Sequence, residues 1–246
     1  MFERAHHRRI AAILSALDGA YLREKHCYFG GGTAIALRHG EYRDSLDIDF
    51  LISDKVSYRE LRERISEAGI AALALPASRL SESREWRLDQ YGLRTMLEVE
   101  GDAVKLDIVL EARIEFEVPL LGESIVGVST LSRLDLAASK LLAHSDRWRD
   151  DSVNSRDLID LAMMELDSEI LRRAIVKASA TYGASVERDL RAAVATLARR
   201  RGRLEDCMRK LQMLDVPPGV VPVPPALLWA RIKRLVPPVK RKNKIE

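Results

Sequence analysis

Residues 29–50 read Phe-Gly-Gly-Gly-Thr-Ala-Ile-Ala-Leu-Arg-His-Gly-Glu-Tyr-Arg-Asp-Ser-Leu-Asp-Ile-Asp-Phe, and this stretch decides the fold. Gly30, Gly31 and Gly32 lead into a short helix over 33–38, and a tight turn feeding a helix N-terminus offers backbone N–H groups to phosphate. The apolar strand over 46–52 then carries Asp47 and Asp49. Side chains two apart on a strand share a face, and their Cα atoms lie roughly 6.5–7 Å apart. Both carboxylates can therefore converge on one divalent metal. Taken singly, the glycines suit a plain tight turn and the aspartates a solvated edge strand. In this order and at this spacing they outline a site that handles phosphate and metal together.

Working outward, such a site wants a third carboxylate, because two-metal phosphoryl chemistry needs ligands that bridge and flank the ions. Asp107 is the candidate. It sits mid-strand in Val104-Lys105-Leu106-Asp107-Ile108-Val109-Leu110 among apolar neighbours, where pairing with Lys105 is the alternative to a metal. The helical half adds Lys140, His144 and Arg147 at i, i+4 and i+7 on one helix face. Ser155 is placed to cap the following helix, on which Asp157 and Asp160 share a face. A lysine reaching into the cleft would hold a triphosphate as a point charge, oriented by Asp157; solvated helical charge explains the same residues. His6, His7, His26 and His39 have no ligand spacing and read as surface or core histidines.

The remaining sequence bounds the class. The 246 residues are 47% hydrophobic and 31% charged, ordinary for a globular chain with a real core. No apolar run approaches the ~18 residues of a membrane span, and the N-terminal residues lack the apolar core of a signal peptide. Cys27 and Cys207 are too few for a disulfide framework or zinc site, which fits the cytoplasm; Cys27 reads as a buried strand thiol. Net charge is only +3, but Arg199-Arg200-Arg201-Gly202-Arg203 and Lys240-Arg241-Lys242-Asn243-Lys244 are basic clusters, either solvated ends or phosphate contacts.

Periodicity predicts a helix over 4–22, a strand over 27–29 and a helix over 58–68 stopped by Gly69. Strands over 93–100 and 104–110 join through Glu100-Gly101-Asp102. Residues 116–118 and 125–128 read as short edge strands. From Leu131 to about Met213 the pattern is helical. Residues 215–225 form a Pro-rich, polyproline-like linker before a last helix over 226–235. The expected architecture is α+β: a mixed β-sheet unit with flanking helices over 1–128, a helical bundle over 129–214 that completes the cleft, and a linker, short helix and basic tail over 215–246.

Two segments carry a specific resemblance. Gly-Gly-Thr-Ala-Ile-Ala-Leu-Arg (31–38) with Arg43-Asp44-Ser45-Leu46-Asp47-Ile48-Asp49-Phe50 is similar to the AbiEii/AbiGii toxin family of nucleotidyltransferases. So is Leu134-Asp-Leu-Ala-Ala-Ser-Lys140-Leu-Leu-Ala-His-Ser-Asp-Arg147, followed by Ser155-Arg156-Asp157-Leu158-Ile159-Asp160-Leu161. The matched segments bracket residues 27–162. The resemblance implies a polymerase-beta-like nucleotidyltransferase fold and transfer of NMP from an NTP with magnesium, manganese being able to substitute. It also implies the toxin of a type IV toxin–antitoxin or abortive-infection system, with a cognate antitoxin as possible partner and, in some relatives, the acceptor end of tRNA as substrate. By position, Ser45 and Asp47 fall on the Ser-x-Asp of the metal motif and Asp49 on its second acid. Lys140 matches the family lysine and Asp157 the acid of the Arg/Lys-Asp-x-x-Asp segment. The loop here is Gly-Gly-Thr where many nucleotidyltransferases have Gly-Ser, so Thr33 is placed to take the serine's phosphate-binding role. Asp107 is assigned from the wider superfamily's third strand acid.

The sequence thus predicts a nucleotidyltransferase whose loop residues Gly31, Gly32 and Thr33, with Arg43, Ser45 and Lys140, bind the nucleotide. Asp47, Asp49 and Asp107 hold metal, and catalysis falls to these acids with Lys140 and Asp157. An RNA 3′ end is the favoured acceptor. A protein side chain, a small molecule, or a non-catalytic nucleotide-binding regulatory role are the competitors.

Overall fold

The computed structural model describes residues 2–236. Helices α1 (Ala5–Ala16) and α2 (Gly19–Glu24) lead into strand β1 (Tyr28–Phe29), helix α3 (Gly31–Arg38), strand β2 (Asp47–Ile52) and helix α4 (Lys55–Ala68). Strands β3 (Ser81–Leu88), β4 (Gly92–Val99) and β5 (Asp102–Leu110) follow, then a small hairpin of β6 (Ser124–Ile125) and β7 (Val128–Ser129). The rest is helical: α5 (Arg133–Arg147), α6 (Arg156–Met163), α7 (Ser168–Tyr182), α8 (Ser185–Arg199), α9 (Arg203–Lys210) and α10 (Pro225–Arg234). None of the described helices is long and apolar enough to cross a membrane. The chain is mixed α+β, as the sequence predicts.

The main sheet has the order β1-β2-β5-β4-β3, with β2 and β5 parallel and the other neighbours antiparallel. Parallel neighbours need a long crossover, and α4 with β3 and β4 supplies it. Strand β2 alternates cleanly. Ile48, Phe50 and Ile52 are buried on one face, so Asp47 and Asp49 must point to the other. The β2–β5 register sets Asp47 opposite Lys105 and Asp49 opposite Asp107. Burial of the apolar face thus fixes where the acids go.

One apolar cluster runs from Ile10 on α1 through the sheet to Ile232 on α10. At the junction near Ser129, where the sequence turns helical, the chain is stitched back to the sheet by the Leu131 N–H donating to the Phe29 carbonyl at 3.0 Å. The C-terminal helices return to the N-terminus: Arg4 Nη2 donates to the Gln212 carbonyl at 2.7 Å, and the Asp44 N–H to the Leu211 carbonyl at 3.1 Å.

Several local expectations change. The helix predicted over 4–22 is two helices, because the Asp18 side chain accepts from the Tyr21 N–H and starts α2 anew. Strand β3 is not among the strands the sequence predicts; it is an edge strand exposed over Ser81–Glu85, with only Trp86 and Leu88 packed against the core. Residues 116–118 form no strand; there the Glu117 N–H is taken by the Asp135 side chain at 2.8 Å. Ser155 does not cap α6 through its side chain, since it sits in the left-handed region at φ 53°. Cys27 is buried just ahead of β1. The Pro-rich segment packs against the body, with Val220 and Val223 buried. The basic cluster 240–244 lies outside the described residues.

Two histidines are sealed inside. His7 is fully buried with Nδ1 2.8 Å from Glu41 Oε1, and His144 on α5 is buried with its Nε2 lacking a partner. Burial holds both imidazoles below their usual pKa, outweighing the nearby carboxylates Glu41 and Asp44 for His7 and Asp157 and Asp189 for His144. The unfolded chain therefore binds protons that the folded one refuses. Stability is present above the unfolded histidine pKa near 6.5 and is lost as pH falls below it, by up to about 1.4 kcal/mol per pH unit for each histidine. Urea denaturation at pH 7.5 and 5.5 checks this; equal midpoints would contradict it.

Candidate active site

Asp47 and Asp49 of β2 share a strand face, and the parallel register sets Asp107 of β5 opposite Asp49. Asp47 is exposed, Asp49 half-buried and Asp107 buried. Burial raises the Asp49 pKa, and the charges of Asp47 and Asp107 raise it further, while Lys140 and Lys105 pull the other way. The strand acids and the lysine of the helical half therefore lie within electrostatic reach of each other. Lys105 Nζ donates to Asp107 Oδ2 at 2.6 Å, the pairing weighed in the sequence. Asp107 Oδ1 is buried with no partner. Among the described residues no three His, Cys, Asp or Glu side chains stand close enough together to form a ready metal cage. The donor chemistry nonetheless fits a hard divalent ion such as magnesium or manganese: carboxylate oxygens, one of them orphaned, under mutual repulsion.

The glycine loop lies directly against these acids. The Gly30 N–H donates to the Asp49 carbonyl at 2.8 Å. Gly31 has φ +67°, and a Cβ there would strike the Asp49 carboxylate; one on Gly32 would strike the Arg43 guanidinium. These positions bring backbone against side chains that a larger residue would displace. The first hydrogen bond of α3 runs from the Ala34 N–H to the Gly30 carbonyl, which leaves the N–H groups before it for an outside acceptor. The Thr33 hydroxyl is turned inward. It donates to the Asp47 carbonyl at 2.5 Å and lies 2.8 Å from Ser45 Oγ. Thr33 thus braces the loop on β2, and only its backbone N–H is left for a phosphate.

Behind the loop is a buried ionic network. Asp160, fully buried on α6, accepts from Tyr42 OH at 2.5 Å, Arg43 Nε at 2.7 Å and Arg43 Nη2 at 2.9 Å. Lys140 Nζ on α5 reaches Asp160 Oδ2 at 2.8 Å and Asp157 Oδ1 at 3.0 Å. Arg147 grips both Asp157 oxygens, through Nε at 2.7 Å and Nη2 at 2.8 Å. Burial works to raise both carboxyls, but Arg43 and Lys140 hold Asp160, and Lys140 and Arg147 hold Asp157, below the usual carboxylate range. Burial likewise works against the Lys140 ammonium, and Asp160 and Asp157 outweigh it.

Lys140 and Asp157 are thus brought together as the helix spacing suggests, and solvated charge does not describe them. Arg43 is committed to Asp160 and, through Nη1, to the Asp44 carbonyl at 2.7 Å; it supports the loop from beneath. Helix spacing already sets Arg147 on the Lys140 face and Asp160 on the Asp157 face, without assigning either a site role; Tyr42 carries no such signal, and Arg43 and Asp160 are 117 residues apart.

Removing one partner of a buried ion network strands the others, at about 3–5 kcal/mol. Asp160→Ala should therefore lower unfolding stability by that order, whereas Asp47→Asn, at an exposed and repulsive position, should leave it unchanged or raise it. Chemical denaturation of the two variants decides; equal stabilities would contradict this ranking.

Comparison with known proteins adds an independent line. No curated protein matches the chain. Two solved structures from Helicobacter pylori are similar, one of a proposed nucleotidyltransferase and one of JHP933. Each is 15% identical with a TM-score of 0.45; the likeness covers 94% of this chain, and 92% and 90% of theirs. The family described as "Nucleotidyl transferase AbiEii toxin, Type IV TA system" matches residues 13–231, from α1 into α10. The match takes in the glycine loop, the three strand acids and the Lys140 network, and the chain belongs to the AbiEii nucleotidyl transferase toxin family.

Proposed function

We propose that the protein transfers NMP from an NTP to an RNA 3′ hydroxyl, with a divalent metal, magnesium or manganese, held by Asp47, Asp49 and Asp107. The observation that carries this reading is the approach of Gly31 to the Asp49 carboxylate, too close for any Cβ, which supports a phosphate cradle beside the acids. In the reaction the acceptor hydroxyl attacks the α-phosphorus; the new P–O bond forms as the α–β bond breaks, and pyrophosphate leaves. Asp107 takes the hydroxyl proton. The N–H groups of Gly31, Gly32 and Thr33 receive the β- and γ-phosphates. Lys140 has three donors, of which Asp157 and Asp160 take two, and the third meets the triphosphate. Bound metal would supply charge neutralisation on the phosphates. The helical region from residue 129 closes the cleft through this lysine.

An RNA acceptor is supported by a groove of about 530 Å³ between the α8–α9 turn and α10, lined by Leu197, Arg200, Arg201, Pro224 and Trp229. An aromatic ring beside Arg201 suits an unpaired strand, whose bases stack while its phosphate meets the cation; Arg200 is paired with Asp151 at 2.8 Å, and Glu205 also lines the groove. Such an enzyme would work in the cytoplasm, where both NTP and RNA are found, and membership of a type IV toxin–antitoxin family supports a cognate antitoxin as its partner.

The test is incubation with total RNA and each α-labelled NTP in turn. Labelled RNA is expected with wild type. Asp47→Ala and Asp107→Ala should lower labelling at least about a hundredfold, the scale of several lost kcal/mol. Labelling should fall steeply between about 50 and 200 mM salt. Label in protein or a small molecule, insensitive to salt, would favour the other acceptors. Label with no response to the acid variants would overturn the site.

A further inference from the structure

We propose that Lys105 is the displaceable internal counter-ion of the acid cluster: its ammonium holds the place of a divalent cation on Asp107 and gives it up when the cation binds. The inference rests on the metal reading given above. Lys105 stands opposite Asp47 in the β2–β5 register, and Asp107 opposite Asp49. Residues two apart on a strand share a face, so the ammonium is built into the same face as the three acids. Its Nζ lies 2.6 Å from Asp107 Oδ2.

The two partners are unequally free. The Lys105 side chain is 42% exposed, whereas that of Asp107 is 10% exposed and has its second oxygen buried without a partner. A long flexible side chain at that exposure regains water when it swings out; the carboxylate cannot follow it. A simple structural ion pair would leave no orphaned oxygen on its buried partner. The cluster is partly neutralised by Lys105 without metal, at the cost of weaker metal binding, because an arriving cation must break one ion pair and sit near the displaced charge.

The test is direct titration of the full chain with Mn²⁺, without nucleotide, followed by electron paramagnetic resonance and by melting temperature. Lys105→Met should bind Mn²⁺ about tenfold more tightly than wild type, equivalent to about 1.4 kcal/mol, and Lys105→Arg should bind as wild type does. Metal-free Lys105→Met should melt below wild type and gain more than wild type from saturating Mn²⁺. A merely structural lysine would reproduce the lower melting temperature but not the tighter binding. Lys105→Gln keeps a donor for Asp107 without the charge and carries the same expectation as Lys105→Met. Wild-type binding with no gain in either neutral variant overturns the inference and leaves the metal site standing. Failure of both neutral variants to fold also overturns it, since a counter-ion that cannot be spared is structural. Absence of Mn²⁺ binding in every protein overturns the metal reading along with it.

Discussion

Asp160 is the charge on which the packing of the glycine loop's flank against α5 and α6 depends. A carboxylate with no exposure is tolerated only when its lone pairs are filled, and here Tyr42, Arg43 and Lys140 fill them. Tyr42 and Arg43 come from the segment between α3 and β2, Lys140 from α5, and Asp160 itself from α6. One side chain therefore fixes the spacing between the loop that carries the glycines and the helices that carry the lysine. Asp157 and Arg147 extend the same network outward. The interior electrostatics are costly and offset by geometry, which makes them a positioning device more than a source of net stability.

The acid face works by the opposite principle. Where every carboxylate of the Asp160 network is ion-paired, the three acids Asp47, Asp49 and Asp107 have one direct ion pair, Lys105 with Asp107, and Asp49 resists ionisation because it is buried beside two like charges. The apolar alternation of β2 and its parallel register with β5 force the crowding, since Ile48, Phe50 and Ile52 claim the other face. The fold thus holds together groups that would separate if free. Such stored repulsion is what a bound cation can relieve.

The parts of this site legible in the sequence were those with short-range patterns. Strand β2 showed itself through strict alternation, the loop through consecutive glycines, and the Lys140 helix through its 3.6-residue stripe. What was not legible lacked such a pattern or depended on distant partners. Strand β3, Ser81–Leu88, exposes Glu82, Arg84 and Glu85, and only Trp86 and Leu88 pack against the core to mark it. The break between α1 and α2 hides in a continuous apolar stripe that Asp18 interrupts by capping. The left-handed backbone of Ser155 overrode its residue type as a cap. The inward turn of the Thr33 hydroxyl and the burial of Arg43 both arise from contacts across the tertiary structure, to β2 and to α6, which no local window contains.

The proposed nucleotide–metal site joins the glycine loop to the three acids. Anomalous diffraction at the manganese edge, from crystals grown with Mn²⁺ and a non-hydrolysable NTP, would locate both ligands at once. A manganese peak is expected among the carboxylates of Asp47, Asp49 and Asp107, with the triphosphate at the N–H groups of Gly31 to Thr33. A fully bound nucleotide elsewhere, with no peak at these acids, would contradict the proposed site.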